Sequence, residues 1–430
     1  MQAQVTLNVQ QSIRPGHMCD TYYPTSENSA LQASATVNDN RFFVALPSLN
    51  SGSSSTVTFN PNEGLSEVII TLRLAQPSNA SGLALQENWG YSMLRRIGYR
   101  YGSSQLYYIT GAQNLVQALS LCEDSGKKQQ LYFLGGQALL TPADWADAGK
   151  RTAYVYLRLP HSSPALAGSA LPFPSDVLTA PIQLQIDLAN FSQVITQSTT
   201  VTGGVIPTQL EFATVNFTQV TMQDAGDLVA RRFDMSKHAL TIPLADGWTQ
   251  EEVQFPVVVG ANGQFQVSLT GCKAGDLRKL RVWITAQADE TPDAAGAISL
   301  NKFVAPAQLT FAINGLIYLD SANGSWLLTN LLRRRQPPVV TYSDLVPPAP
   351  PSTSWTATPY ASSWCEIDLA QPSCLGSSHE VELVHGVPVM NSVMNLTGIM
   401  PVGNAAYTIH VEYVLNCSWM ASRGSAEFVF

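Results

Sequence analysis

Two histidines near the C-terminal end are the nearest approach to a metal site in this sequence. His379 and His385 lie six residues apart, with Glu380 beside the first. On a strand, residues six apart share a face, so the two imidazoles could ligate one metal ion. Polar residues of this kind more often serve loops and strand surfaces, so we favour that interpretation and predict no metal ligands.

Two carboxylate pairs could in principle perform general acid–base chemistry, which needs two acids held on one side of a cleft. They are Asp224 with Asp227, and Glu251 with Glu252. Neighbouring residues on a strand point to opposite faces, and surface carboxylates are common. We therefore predict no catalytic residues.

Three aromatic residues, Trp355, Tyr360 and Trp364, could bind a sugar if they were exposed. In a chain rich in β-structure such residues more often serve packing or contacts between subunits. The sequence also lacks the GxxxxGK[ST], GxGxxG, GxSxG and HExxH motifs. We predict no cofactor-binding residues.

The stretch from Glu87 to Glu123 predicts the main structural elements of the first half of the chain. Two aromatic segments, Ile97–Tyr101 and Leu106–Ile109, flank the turn at Gly102 and predict a hairpin. After Gly111, apolar residues recur at helical spacing, at positions 115, 118, 119 and 122. The stretch therefore predicts two strands followed by a helix.

A similar pattern, a hairpin followed by a helix, recurs in the second half of the chain. Leu309–Ile313 and Leu316–Leu319 flank Asn314-Gly315, and a helical pattern follows Ser325 and ends near Arg333–Arg335. Gly102 and Gly315 lie 213 residues apart (315 − 102), close to half of the 430-residue chain. We predict one fold built twice, with these glycines in equivalent turns.

Composition agrees with two mostly β domains. A single core stops growing at roughly 250–300 residues, and the chain has 29 glycines, 26 prolines and only 13 % charged residues. The formal net charge is −8, and the only basic tract is Arg333–Arg335, so we predict no direct binding of nucleic acid.

The cysteines and the first residues bear on the compartment. Six cysteines are scattered without a CxxC pair, which favours reduced core residues over a disulfide framework. Met1–Gln4 lacks the basic start of a signal peptide, so we expect a protein made and assembled inside a cell. We also expect no ordinary transmembrane helix.

Alternating apolar residues predict the strands. The clearest runs are Val68–Leu74, Ile182–Leu188, Phe265–Leu269, Leu280–Ile284 and Tyr407–Tyr413, with Leu131–Leu134 and Tyr154–Leu159 as shorter candidates. Residues 1–38 are polar and aperiodic. We predict an N-terminal arm (1–38), a first domain (39–235) and a second domain (236–430). We also expect the apolar C-terminus, Phe428–Phe430, to lie in a sheet or an interface.

Several segments occur in an order that matches a known family. The first half contains Trp89-Gly90, Ile97–Tyr101, Gly102, Gly111–Leu121, and Ala170-Leu171-Pro172 before Ile182–Leu188. The second half contains Phe265–Leu269, Asp276–Trp283, Asn314-Gly315, and Tyr413–Phe430 with Gly424. From about Arg41 onward, the chain resembles the double jelly-roll major capsid proteins of icosahedral double-stranded DNA viruses, particularly the large eukaryotic type. The turn at Lys273–Asp276 departs from the family in carrying less proline.

The resemblance implies an all-β fold: two consecutive eight-stranded jelly-roll β-sandwich domains with short helices in loops. It implies a structural, non-enzymatic protein of the virion. Three copies would form a pseudo-hexagonal capsomer, which would contact neighbouring capsomers, penton and minor capsid proteins, and in some viruses an internal membrane beneath the shell.

Two other kinds of function remain open from the residues. A carbohydrate-binding, lectin-like β-sandwich would need a sugar or calcium site, and a glycosidase would need convergent carboxylates. A minor capsid or receptor-binding protein is a further alternative, although such proteins usually carry one jelly roll.

Overall fold

The computed structural model describes the chain in segments. These segments are 38–59, 64–102, 104–120, 131, 133–157, 173–174, 180–198, 201, 203–221, 240–243, 247–273, 275–290, 303–304, 306–321, 364–369, 386–400, 406–422 and 425–429. The predicted helices after Asp224 and after Ser325 lie outside them, as do the predicted arm, apart from Asn38, and the boundary between residues 235 and 236. The domain limits therefore stay a prediction.

The first half of the chain forms two facing sheets and a short ribbon. Its strands are β1 (Asn38–Ala45), β2 (Ser54–Phe59), β3 (Gly64–Leu74), β4 (Leu83–Ala84), β5 (Leu94–Tyr101), β6 (Tyr107–Thr110), β7 (Thr152–Tyr156), β8 (Phe173–Pro174), β9 (Ile182–Leu188), β10 (Thr196–Gln197) and β11 (Leu210–Thr221). Its helices are α1 (Trp89–Met93), α2 (Gly111–Ser120), α3 (Pro142–Ala146) and α4 (Phe191–Val194). The sheets have the orders β1-β11-β3-β7 and β2-β9-β5-β6.

The second half repeats this arrangement. Its strands are β12 (Leu240–Pro243), β13 (Trp248–Thr249), β14 (Val253–Val258), β15 (Gln264–Leu269), β16 (Asp276–Ala286), β17 (Gln308–Ile313), β18 (Leu316–Ser321), β19 (Trp364–Asp368), β20 (Val387–Pro388), β21 (Met394–Ile399), β22 (Ala406–Leu415), β23 (Ser418–Ser422) and β24 (Ser425–Val429). Helix α5 (Gln287–Glu290) follows β16. The described strands pair only within their own half of the chain.

The two halves have the same topology. The sheet β15-β21-β17-β18 matches β2-β9-β5-β6 strand for strand, and β14-β22-β16-β19 matches β1-β11-β3-β7. Even the short strands correspond, because β8 pairs with β3 as β20 pairs with β16. Each half is an eight-stranded jelly roll with extra strands, and the predicted fold class is confirmed.

The predicted equivalence of Gly102 and Gly315 is confirmed. Gly102 follows β5 and leads to β6, while Gly315 joins β17 to β18, which occupy the same places in the second half. The φ angles are +60° at Gly102, +51° at Asn314 and +83° at Gly315. Positive φ at both central residues is the geometry of a two-residue hairpin turn, which Asn-Gly adopts readily.

Alternation in the sequence becomes burial of one strand face. In β9, Ile182, Leu184, Ile186 and Leu188 are buried, whereas the residues between them are partly exposed. They share the apolar core with Val68, Ile70 and Leu72 on β3. The same alternation buries Phe311 on β17 and Leu396 on β21 in the second jelly roll.

One predicted strand is wrong. Leu131 and residues 133–135 are helical, and the side chains of Phe133 and Leu134 are exposed. A run of four apolar residues fits a helical turn as well as a strand, and periodicity cannot distinguish the two.

Two local devices fix the helices of the first jelly roll. Gly111 begins α2 at a point where a Cβ would overlap the carbonyl oxygens of Tyr91 and Leu94, so glycine lets α2 approach α1. Helix α3 starts with a capping box, in which Thr141 and Asp144 bond each other's backbone N–H groups. Asp144 also pairs with Lys150 at 2.5 Å.

Candidate functional site: the seam between the jelly rolls

A group of polar and aromatic side chains lies where the two jelly rolls meet and joins distant parts of the chain. We call this interface the seam. Its residues are Arg96, Tyr101, Tyr107, Thr110, Gln113 and Gln117 from the first jelly roll, and Trp248, Gln250, Glu251, Glu252, Lys273, Glu412 and Phe428 from the second.

The carboxylates of Glu251 and Glu252 belong to the seam. The side chain of Glu251 is 41 % exposed, as the surface interpretation expects, whereas that of Glu252 is only 5 % exposed, so the surface interpretation is wrong for Glu252. Both lie in the link between β13 and β14. Glu251 Oε1 is 2.7 Å from Arg96 Nη2, and Thr110 Oγ1 donates to Glu252 Oε2 at 2.9 Å. The link is not a continuous strand, so the two side chains both reach the first jelly roll.

His410 lies behind Glu252 and orients it. The Nδ1 atom of His410 is 3.5 Å from Glu252 Oε1, and Nε2 is 2.7 Å from Thr285 Oγ1. The imidazole stacks on Trp283, with ring centroids 5.4 Å apart and planes 5° from parallel. Burial is the largest single influence on the pKa of Glu252 and acts to raise it, but His410, Gln254 and Thr110 together outweigh burial and lower that pKa below its usual value.

Helix α2 crosses from one jelly roll to the other with two glutamines four residues apart. Gln113 Nε2 donates to the carbonyl oxygen of Gln250 at 2.7 Å, and the backbone N–H of Glu252 donates to Gln113 Oε1 at 3.3 Å. Gln117 Nε2 donates to Glu412 Oε2 at 3.3 Å. The spacing of four places both amides on one face of the helix, whereas Leu115 and Leu119 are buried in the apolar core.

An aromatic cluster joins the β5–β6 hairpin to the C-terminal strand. The ring centroid of Tyr107 lies 4.9 Å from that of Phe428 and 5.5 Å from that of Trp248. Tyr101 also contacts Phe428, at 6.1 Å, and Lys273 Nζ lies 4.5 Å from the Trp248 centroid. The prediction that the apolar C-terminus lies in a sheet or an interface is confirmed at Phe428, which lies in both.

A buried ion triad supports the seam from within the second jelly roll. Arg281 Nε lies 2.6 Å from Glu366 Oε2, and Arg281 Nη1 bonds Glu412. Burial raises the pKa of Glu412, and the charge of Arg281 and the amide of Gln117 oppose that rise. Glu412 therefore depends on partners from both jelly rolls.

The seam is built for rigidity. Its carboxylates at positions 251, 252 and 412 each accept from a cation or a hydrogen-bond donor. Polar contacts of this kind, made in a buried setting, favour one relative placement of the groups that make them. The arrangement can hold two jelly rolls as one body.

The other residues considered from the sequence are placed as follows. Trp364 is buried in β19, which confirms the packing interpretation for that residue. The remaining candidates lie outside the described residues: Asp224, Asp227, Trp355, Tyr360, His379, Glu380 and His385. Within the described segments, no cluster of three or more His, Cys, Asp or Glu residues could hold a metal ion. Among these same residues, no helix has the length and apolar character needed to span a membrane.

Sequence reasoning missed the triad and His410. The available signal was a charge inside an apolar strand, as with Arg281 in β16 and with His410 and Glu412 in β22. Charged residues are rarely buried unless they are paired, so such positions indicate partners that the local sequence does not identify.

Solved structures with the same fold identify the architecture. VP54 of PBCV-1 matches with a TM-score of 0.55 at 10 % identity, over 92 % of this chain and 97 % of VP54. The chain has the double jelly-roll fold of viral major capsid proteins. A chain of the Sputnik virophage matches with a TM-score of 0.50 at 11 % identity, over 91 % and 88 % of the two chains. The Faustovirus major capsid protein matches with a TM-score of 0.50 at 8 % identity, over 100 % and 98 %.

No protein-family model and no curated protein sequence matches this double jelly-roll chain. The likeness therefore lies in the fold, which is shared across nearly the full length of each chain at 8–11 % identity.

Proposed function

We propose that the chain is the major capsid protein of an icosahedral virus, and that it has a structural rather than an enzymatic role in the virion. The observation that carries the proposal is the joining of two jelly rolls of equal topology into one body by the seam. Three such chains supply six similar sandwiches, which can fill a pseudo-hexagonal outline and tile a shell. The solved structures with the same fold include a Faustovirus major capsid protein.

The physical properties of the chain suit this role. Sandwiches with rigid cores make firm walls, and their strand edges must be covered by neighbours or by loops. A charged fraction of 13 % suits wide lateral burial. The proposed partners are two further copies within the capsomer, neighbouring capsomers, and penton and minor capsid proteins. An internal membrane at the base of the shell would be a further partner in some virions.

Purified protein provides the test. We expect light scattering after size-exclusion chromatography to give about three times the chain mass of 46.5 kDa. We expect negative-stain images to show pseudo-hexagonal particles. A monodisperse monomer at micromolar concentration would contradict the proposal. Binding of a defined glycan by that monomer would favour the carbohydrate-binding alternative.

A further inference from the structure

His410 is a buried side chain that can gain or lose a proton near neutral pH, and it lies at the seam. Its side chain is 8 % exposed, and that of its neighbour Glu252 is 5 % exposed. Histidine is the side chain whose charge ordinarily changes between pH 5 and 8. A histidine buried beside a carboxylate makes the strength of their contact depend on pH.

Both ring nitrogens of His410 face polar atoms. Nδ1 lies 3.5 Å from Glu252 Oε1, and Nε2 lies 2.7 Å from Thr285 Oγ1. A hydroxyl group can donate to a neutral ring nitrogen or accept from a protonated one, so Thr285 suits both charge states of the imidazole. The contact with Glu252 differs between the two states, because it becomes an ion pair only when the imidazole carries its second proton.

The other charged side chains around His410 and Glu252 are already paired with one another. The pairs are Arg281 with Glu366 and Glu412, Lys279 with Glu366, and Arg96 with Glu251. Among the described residues, His410 is the only basic side chain within ion-pair distance of Glu252. Gln254 of β14 lies opposite His410 in the strand register, and Glu412 lies two residues away on the same face of β22. A proton on His410 is therefore placed among carboxylates, and the nearest of them depends on it for a positive partner.

The indole ring of Trp283 gives a protonated imidazole a second favourable contact. The two rings are stacked, with centroids 5.4 Å apart and planes 5° from parallel. The face of an aromatic ring attracts a cation that lies within about 6 Å of its centroid. Burial opposes a charge on His410 because water is removed from it. The stacked indole and the carboxylate of Glu252 both offset that cost.

Glu252 connects His410 to the first jelly roll. Its Oε2 atom accepts from Thr110 Oγ1 at 2.9 Å, and its backbone N–H donates to Gln113 Oε1 at 3.3 Å. Its Oε1 atom, which faces His410, also accepts from Gln254 Nε2 at 2.9 Å. One carboxylate thus bonds the first jelly roll with one oxygen and meets the imidazole with the other. A stronger hold on Glu252 by His410 is therefore a stronger hold between the two jelly rolls.

We propose that His410 is a proton switch of the seam, which holds Glu252 and the two jelly rolls firmly when it is protonated and loosens them when it is neutral. A histidine whose charged form gains a partner on folding contributes stability that is fully present below about pH 6.5 and is lost as the pH rises. The carboxylate of Glu252 keeps its charge in mild acid, because its pKa lies below the usual value. The seam is therefore most stable in mildly acid solution. This inference concerns the joint within one chain and does not depend on the capsid role.

Hydrogen–deuterium exchange of the full-length protein at pH 6 and pH 8 tests the switch. Segments 107–117 and 248–255 report on opening of the seam, and β9 (Ile182–Leu188) reports on the core of the first jelly roll. After correction for the intrinsic effect of pH on exchange, we expect the seam segments to be about three- to tenfold better protected at pH 6, since one unit of pKa corresponds to a tenfold change in an equilibrium. We expect β9 to change less.

Two neighbouring glutamates supply a matched pair of variants. Glu252→Gln keeps the shape of the side chain but removes the charge that faces His410, so we expect the difference between pH 6 and pH 8 to disappear. His410→Gln, which cannot carry a charge, should abolish it as well. Glu251→Gln is the control, because Glu251 pairs at 2.7 Å with Arg96, whose charge does not change in this range. We expect the control to weaken the seam equally at both pH values and to keep the difference.

The pH profile distinguishes a proton switch from a histidine that only fills space. A wild-type seam that is equally protected at both pH values, or better protected at pH 8, overturns the proposal without any variant. A pH difference that survives in Glu252→Gln or His410→Gln also overturns it, because another group would then be responsible. If His410→Gln fails to fold, the wild-type profile and the two glutamate variants decide. The capsid role is tested separately, by the oligomeric state.

Discussion

Replacing Arg281 with methionine should be among the most damaging single substitutions in the second jelly roll. The guanidinium lies between the carboxylates of Glu366 and Glu412, and all three side chains are buried. After the change, Glu366 keeps Lys279, whose Nζ is 3.8 Å from Glu366 Oε1. Glu412 keeps only the amide of Gln117 among the contacts described above.

The expected magnitude follows from that loss. Removing one partner of a buried ion pair costs about 3–5 kcal/mol, because the other charge stays buried without compensation. A domain is stable by only about 5–15 kcal/mol in total. We therefore expect Arg281→Met to lower the free energy of unfolding of the second jelly roll by about 3–5 kcal/mol.

Urea denaturation followed by circular dichroism and tryptophan fluorescence measures this change at neutral pH. The matched control is Lys279→Met, which removes a longer and more exposed ion pair to the same Glu366. Pairs of that kind contribute about 1 kcal/mol or less. The reasoning fails if the two variants lose equal stability, or if Arg281→Met loses less than about 1 kcal/mol.

The pH dependence gives an independent check on Arg281→Met. Burial already raises the pKa of Glu412, and loss of Arg281 removes a charge that opposes that rise. A carboxyl group whose folded pKa is raised destabilises the fold above that pKa, and the penalty falls as the pH drops through it. The difference in unfolding free energy between variant and wild type should therefore shrink as the pH falls from 7 into the acid range. A difference that stays constant or grows would refute the account.

Three further predictions concern the first jelly roll and the seam. Gly111→Ala should lower the free energy of unfolding by about 1–3 kcal/mol or more, whereas Gly260→Ala, whose Cβ meets no atom nearer than 3.8 Å, should be near neutral in thermal unfolding. Burial acts to raise the pKa of Asp144, but hydrogen bonds, foremost the one from Lys150, lower that pKa to about 2. Its contribution is present above about pH 4 and lost towards pH 2. Asp144→Asn should therefore flatten an acid titration of stability over that range, and it should cost about 0.5–2 kcal/mol at pH 7 by weakening the half of the capping box in which the carboxylate accepts from the Thr141 N–H. Tyr107→Ala removes ring contacts worth about 0.5–1.5 kcal/mol each, so it should separate the unfolding of the two jelly rolls, and two resolved calorimetric transitions would show this.

Much of the architecture could be predicted because it depends on local patterns. Alternation in Ile182–Leu188 and Tyr407–Tyr413 predicted buried strands, since a strand between core and solvent exposes every second residue. The Asn314-Gly315 pair predicted its hairpin turn because these residues accept positive φ. The segment Leu131–Leu134 failed because four apolar residues carry no usable period.

The candidate site was less predictable. Glu251 and Glu252 were seen in the sequence as a possible acid pair, but their partners Arg96 and Thr110 lie more than a hundred residues away. His410 sits in a strand whose alternation predicts only that it faces away from the core. Nothing local indicates that a second jelly roll covers that side.

The sequence alone determined most of the long strands, the hairpin turns, the helix after Gly111 and the duplication, because hydrophobic period and turn chemistry act over a few residues. The tertiary structure decided which sheet faces meet, because partners distant in the chain come together only when two sandwiches close on each other. It buried Arg281 with two carboxylates and covered β6. It left the side chains of Leu316, Ile317 and Phe43 exposed. The hairpins β5–β6 and β17–β18 thus have similar sequence patterns but different surroundings in the folded chain.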